Sequence, residues 1–185
     1  MAEDARVRKT KQKLSAALVA LLQEKPLSDI TPAQICEKAG INRSTFYRNY
    51  KNVLQLKCEM ENKILSDIQW RNGPSNSFHV QETIENQLQY LRENRDLFQA
   101  LSSADARMGI FEKVKNRAIE VARASFDQVP DAPGREEYDN LCVFYINAVI
   151  GTVGDWFQGG MHQSNESLAA FLAPWVIEAA DHIGM

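Results

Sequence analysis

Cysteine is scarce in this chain and unpaired. Cys36, Cys58 and Cys142 are isolated, odd in number and form no C-x-x-C motif. No histidine falls at metal-ligand spacing from any of them. A disulfide framework and a structural metal site are therefore not expected, and a reducing compartment is. Long apolar runs are missing too. The longest, Leu141 to Phe157, contains Asn147 and Asp155 and is short for a membrane span. The first residues are charged and hold no apolar signal core, so a soluble cytoplasmic protein is expected. Alternating strand patterns, internal repeats and low-complexity tracts are absent. No catalytic constellation stands out. Gly151-Thr152-Val153-Gly154 follows no strand and precedes no G-K-S/T, and no Ser/His/Asp set or carboxylate pair is evident. An enzyme and a bound cofactor are not expected. His79, His162 and His182 are scattered near loops or ends and read as solvated.

What is present is a strong charge asymmetry. The net charge of −3 conceals eleven Lys and Arg against five Asp and Glu in residues 1–57, and ten against nineteen in residues 58–185. A basic head on an acidic body suggests that the head meets a polyanion.

The periodicity predicts an all-α chain. A first helix spans Arg6–Glu24, with Leu14, Leu18, Leu21 and Leu22 on one stripe and basic residues before it. Asn52 can cap a fourth, with Val53, Leu56, Met60, Ile64 and Ile68 inward, ended by Asn72-Gly73-Pro74. Ile84, Leu88 and Leu91 make one stripe, Leu97, Phe98 and Leu101 a shorter one, and Ile110 to Phe126 a long third. Pro130, Pro133 and Gly134 break the chain. Tyr138–Phe157 is apolar around most of its circumference, as in a helix buried on more than one side. Gly159-Gly160 stop it, and Ser164 or Asn165 can cap a last helix, Leu168–Ile183. Pro174 inside that helix is expected to kink it.

The segment Ile30–Tyr50 is the most specific. It reads as two short helices around Gly40, each with its own start signals. Thr31 caps the first, Pro32 follows at the first helical position and Gln34 completes a capping box, while Ile30 and Ile35 sit at staple positions. Asn42 caps the second, with Ile41 and Phe46 as its staple. Two helices so short are marginal alone. Two sets of caps around one glycine fit a helix-turn-helix, whose second helix enters the DNA major groove.

On such a helix Arg43, Ser44, Thr45, Tyr47 and Arg48 fall near the N-terminus, where bases are read. Arg43 has the fork that fits a guanine, and Thr45 and Tyr47 offer a methyl, hydroxyls and an aromatic edge. Phe46 and Tyr50 are placed inward. Thr31 begins a helix whose free N–H groups suit a phosphate. The run Arg6, Arg8, Lys9, Lys11 and Lys13 reads either as a solvated face or as an arm touching phosphate or groove.

Residues 10–57 resemble the N-terminal domain of the TetR family of bacterial transcriptional regulators. The resemblance lies in Ile35-Cys36, in Ala39-Gly40-Ile41-Asn42 at the turn, and in Ser44-Thr45-Phe46-Tyr47-Arg48-Asn49-Tyr50. Asn94-Arg95-Asp96-Leu97-Phe98 and Gly151…Trp156…Gly159-Gly160-Met161 are similar to stretches of its C-terminal domains. The resemblance implies a three-helix DNA-binding domain over 1–57, a fourth helix over about 53–71 that links the domains, and a larger helical dimerisation and effector domain over 58–185. It implies phosphate contacts at Thr31 and Tyr47. The family's usual lysine at the start of helix four is Val53 here, leaving Lys51 or Lys57 to supply that contact.

For the body, the resemblance implies a homodimer in which the last two helices pair with their mates. Gly151, Gly154, Leu168, Phe171, Leu172 and Trp175 are the residues expected there, the glycines permitting close backbone approach. It further implies that a small molecule binds inside the body and shifts the heads. Trp70, Phe98, Met108, Phe111, Cys142, Tyr145 and Trp156 are the residues expected to line or border that pocket, for an apolar or aromatic ligand. At helical spacing the same residues also read as core, and Asn147 adds a polar group that wants a partner. The expected function is therefore that of a dimeric repressor released from a palindromic operator by a ligand. The alternatives are control by a protein partner, or a helical adaptor that no longer binds DNA.

Overall fold

The computed structural model describes residues 5–68, 80–103, 109–124, 126–128 and 133–183. Among them every regular element is helical. The order is α1 (Ala5–Leu22), a 3-10 turn (Leu27–Asp29), α2 (Pro32–Ala39), α3 (Arg43–Asn49), α4 (Val53–Asp67), α5 (Val80–Glu93), α6 (Arg95–Ser103), α7 (Ile110–Ala124), a second 3-10 turn (Phe126–Gln128), α8 (Arg135–Gln158) and α9 (Asn165–Ile183). The all-α expectation holds, as does the helix-turn-helix near the N-terminus. The expected Asn72-Gly73-Pro74 stop, His79 and Pro130 lie outside the described residues.

The chain forms two compact units, each built from two separate stretches of sequence. Unit one comprises 1–67 with 95–110, and unit two comprises 68–94 with 111–185. In unit one, α1 packs against α2, α4 and α6, and α2 against α3. Leu14, Leu18, Ile35, Phe46, Leu56, Ile64, Phe98 and Leu101 form its buried apolar interior. In unit two, α5 packs on α9, and α9 on α8.

Local sequence explains most helix ends. At α2 the capping box is complete. The Gln34 N–H donates to Thr31 Oγ1 at 3.4 Å, and the Thr31 N–H donates to Gln34 Oε1 at 2.9 Å. Gly40 closes α2 in the left-handed region at φ 64°, where a side chain is disfavoured. The Gln55 N–H donates to Asn52 Oδ1 at 2.8 Å at the start of α4, and the Ser167 N–H donates to Ser164 Oγ at 3.2 Å at the start of α9. Asn42 differs from expectation. It occupies the cap position of α3, but its side chain makes no cap hydrogen bond, and only its carbonyl accepts, from the Thr45 and Phe46 N–H groups. Helix α9 runs through Pro174. That proline is on the exposed side of the helix.

Unit two is held by two polar clamps, one buried and one half-buried, as well as by apolar contact. The Tyr138 hydroxyl donates to the Ala122 carbonyl at 2.6 Å and lies 2.8 Å from the Ile183 carbonyl, joining α7, α8 and α9. Arg92 on α5 reaches the turn between α8 and α9, donating to Asn165 Oδ1 and to the Met161 carbonyl, each at 3.1 Å, beneath the Trp156 ring. Among the described residues no helix is long and apolar enough to cross a membrane.

Candidate nucleic-acid interface

Helix α3 is divided sharply between an inner and an outer face. Phe46 is fully buried and Tyr50, which closes the helix, is buried beside it, their ring centroids 5.8 Å apart. Tyr47 lies edge-on to Phe46 at 5.5 Å yet is 58% exposed. Asn42, Arg43, Ser44 and Arg48 share that exposure, and Thr45 is half-buried. Apolar side chains thus anchor the helix inward while donors and an aromatic edge face out. No hydrophobic reason accounts for the exposed Tyr47 ring, and a groove-contacting side chain needs such exposure.

Thr31 is exposed at the start of α2, its hydroxyl already engaged in the capping box. Arg8 and Lys9 are exposed on the first turns of α1, so the basic run is helical. Lys11 belongs elsewhere, since its Nζ lies 3.2 Å from Glu59 Oε1 on α4. Lys51 is exposed just before α4. Lys57 is not available to a phosphate. It is 1% exposed and donates to Glu61 Oε1 at 2.7 Å, with Glu61 itself 2% exposed. Sequence periodicity gave no warning of this, although a carboxylate four residues on from the lysine was the available signal. Lys38 pairs with Glu24 at 2.6 Å, which holds the Glu24 carboxyl below its usual range and ties α2 to the end of α1. Burial pushes the Cys36 thiol up, opposed by the Arg43 guanidinium.

Of the residues expected to line a ligand pocket, five lie among the described residues and are divided between the two units. Trp70 and Met108 lie outside the described residues. Phe98 is buried in unit one, whereas Phe111, Cys142, Tyr145 and Trp156 belong to unit two. Cys142 and Tyr145 pack in a core cluster with Ala118, Ala122, Tyr138 and Ile146, where burial raises both their pKa values. Phe111 packs on Phe157 at 5.2 Å, and the Trp156 indole donates to the Gln163 carbonyl at 3.0 Å. Asn147 is exposed and donates to the Val143 carbonyl at 2.7 Å. A groove of about 640 Å³ opens between α5 and the turn joining α8 to α9, lined by polar side chains including Glu85, Gln89, Arg92 and His162. None of the expected pocket residues lines it.

The last two helices present an apolar outer face. Phe144, at 64% exposure, Val143, Ala148 and Gly151 lie on the open side of α8, and Phe171, Pro174 and Trp175, at 49%, on that of α9. Leu168 and Leu172 are buried within unit two, so they fill its own core and do not face outward. Gly154 is also buried, and a Cβ built at Gly151 or Gly154 meets nothing within 4 Å. Among the described residues, the close crossing expected at these glycines is therefore not made within the chain. Among the described residues no group of three or more His, Cys, Asp or Glu is placed to hold a metal.

A helix-turn-helix carried by a larger helical body defines a class of transcriptional regulators. The family model for the C-terminal region of such regulators, of the TetR type, matches residues 79–174, more than half of the chain. The chain belongs to the TetR family of transcriptional regulators. Its fold is similar to that of the dihydroxyacetone kinase operon activator DhaS, with a TM-score of 0.64 and 18% identity over 94% of this chain and 98% of that one. It is also similar to a TetR transcriptional regulator from Streptococcus agalactiae 2603V, with a TM-score of 0.61 and 22% identity over 94% of this chain and 96% of that one. Comparison with curated proteins gives no match.

Proposed function

We propose that the protein is a homodimeric repressor that reads a palindromic operator in double-stranded DNA and leaves it when a small apolar or aromatic molecule binds the body. The observation that carries DNA binding is the division of α3, with Phe46 wholly inward and Arg43, Ser44, Tyr47 and Arg48 outward. The excess of basic residues in the head adds the sequence-independent attraction that phosphates need. Dimerisation is supported by the outward side chains of α8 and α9, where the large apolar Phe144, Phe171 and Trp175 are exposed. A single head reads few bases, and two heads related by a dyad read an inverted repeat.

One observation favours a second reading for the control step, in which a partner protein replaces the small molecule. The described pocket residues of unit two are engaged with their own neighbours, Cys142 and Tyr145 in the core cluster and Trp156 with Gln163 and Arg92.

Selection of bound duplexes from a random pool tests the reading directly. An enriched inverted repeat with half-sites about one helical turn apart, about 10 bp, is expected. Transcription from a promoter carrying that site should fall when the protein is added. An unenriched pool and no salt-dependent duplex binding would leave the helical-adaptor reading in its place.

A further inference from the structure

The groove between α5 and the α8–α9 turn holds charges of both signs that do not meet. Arg92 lines it together with Glu85, two turns earlier on α5, and Glu166, on the first turn of α9. The Arg92 guanidinium is fixed by neutral groups alone. Its Nε donates to Asn165 Oδ1 at 3.1 Å, and its Nη2 donates to the Met161 carbonyl at 3.1 Å and to the Gln163 carbonyl at 3.4 Å. The Trp156 ring covers it, 5.2 Å from the guanidinium carbon to the ring centroid. Among the described residues no carboxylate pairs with Arg92, and no acceptor meets its Nη1. Glu85 accepts from the Gln81 side-chain amide at 2.8 Å, and among the described residues neither it nor Glu166 pairs with a cation. Arg92 cannot swing to either glutamate without leaving the turn that it holds. Opposite charges are thus kept apart across a space of about 640 Å³.

We propose that this groove binds a zwitterion of the amino-acid or short-peptide type, with its carboxylate on the Arg92 guanidinium and its ammonium on Glu85 and Glu166. A guanidinium held in place with donors unfilled suits a carboxylate, and an ammonium suits oxygens from more than one carboxylate. The amides of Asn86 and Gln89 on the same lining suit further polar groups of such a molecule. This ligand is hydrophilic, unlike the effector proposed above, and none of the residues expected for that effector lines the groove. The site lies wholly within unit two, so it does not depend on what the head binds.

The test is calorimetric titration of the full chain with L-glutamine and with glycyl-L-glutamine, accompanied by thermal melts. At least one of the two should bind and raise the melting temperature, and the tighter of them tells a free amino acid from a short peptide. The N-acetylated form of the bound probe lacks its ammonium, and the C-terminal amide lacks its carboxylate. Each should bind about fivefold or more weakly than the zwitterion, through loss of one charge-assisted contact. Glu85→Gln combined with Glu166→Gln should weaken the zwitterion by a similar factor but not the N-acetylated form. Absence of heat and of a melting shift with both probes at about 10 mM, which would fill most sites at a millimolar Kd, overturns the proposal. So does a singly charged form that binds as tightly as its zwitterion, or a double variant that binds the zwitterion as wild type does. If the double variant fails to fold, the modified probes decide by themselves. None of these readouts involves DNA, so failure of this site and failure of the DNA-binding reading remain distinct.

Discussion

Lys57 and Glu61 meet one turn apart on α4, Nζ to Oε1 at 2.7 Å, and both side chains are almost wholly removed from water. Removing Glu61 takes this counter-charge from an ammonium buried in the interior of unit one, which costs about 3–5 kcal/mol. Glu61→Leu alone should therefore melt far below wild type. The double variant, Glu61→Leu with Lys57→Met, should recover most of that loss, because two apolar side chains of similar volume need no counter-charge. Thermal melts of Glu61→Leu and of the double variant check this, and a double variant no better than Glu61→Leu would show that the pair is not coupled.

The outer and inner faces of α3 should respond differently to truncation. Arg43→Ala should cost about 1–3 kcal/mol of binding per half-site and relax preference at one base pair. Lys51→Ala should weaken binding to all sequences alike and reduce the salt slope by about one unit. Phe46→Ala should destabilise the fold by about 3–5 kcal/mol, as expected for a fully buried ring. Binding to matched and mismatched duplexes at several salt concentrations, with melts alongside, separates the three signatures. Unchanged affinity and base preference in Arg43→Ala and Tyr47→Ala together would remove α3 from the role of reading helix.

The outer face of α8 and α9 should set the oligomeric state. Gly151 is exposed, with open space where a Cβ would stand, so Gly151→Arg is compatible with the folded chain. It places a charge beside Phe144 and Ala148 on a face that two copies would bury. A folded monomer is expected by sedimentation, with the melt preserved apart from the stability that association contributes. A well-folded dimer in this variant would move the interface elsewhere.

Tyr138 should give the protein an alkaline limit. Burial pushes its hydroxyl pKa from the ordinary value near 10 up to about 12. The folded state thus holds the proton more tightly than the unfolded chain. The stability from this group is complete below about pH 10 and is lost as pH rises towards 12. Wild type should lose about 1 kcal/mol between pH 9 and pH 11 from this source. Tyr138→Phe should lack that decline. It should also be less stable at neutral pH by about 1–3 kcal/mol, since the Ala122 and Ile183 carbonyls lose their buried partner. Urea titrations at the two pH values measure both effects.

The head was legible from sequence because its determinants are local. Thr31, Gln34, Gly40, Asn52 and Gln55 fix helix ends through partners three or four residues away, and the pattern around Phe46 left one inward side. The fate of Lys57 was not legible, because burial of that face of α4 depends on packing between helices distant in sequence. In α9 nearly every turn is apolar, so periodicity does not choose between faces. The contacts with α5 and α8 choose, turning Leu168 and Leu172 inward and leaving Phe171 and Trp175 out. Cys142 and Tyr145 attract attention as polar groups on an apolar helix, yet neighbours from α7 and α9 complete their surroundings.

The discontinuity of unit one has a consequence for how the chain is made. Helix α1 packs against α6, which is synthesised only after the whole of α4 and α5. The helix-turn-helix closes through short loops and can form early on a growing chain. The apolar side of α1 that meets α6 must wait, exposed, until Phe98 and Leu101 have emerged. A fragment ending at Asp67 would keep that surface uncovered permanently. The head is thus a late-completed unit whose final wall is built from the middle of the polypeptide, and it is not a detachable leading module.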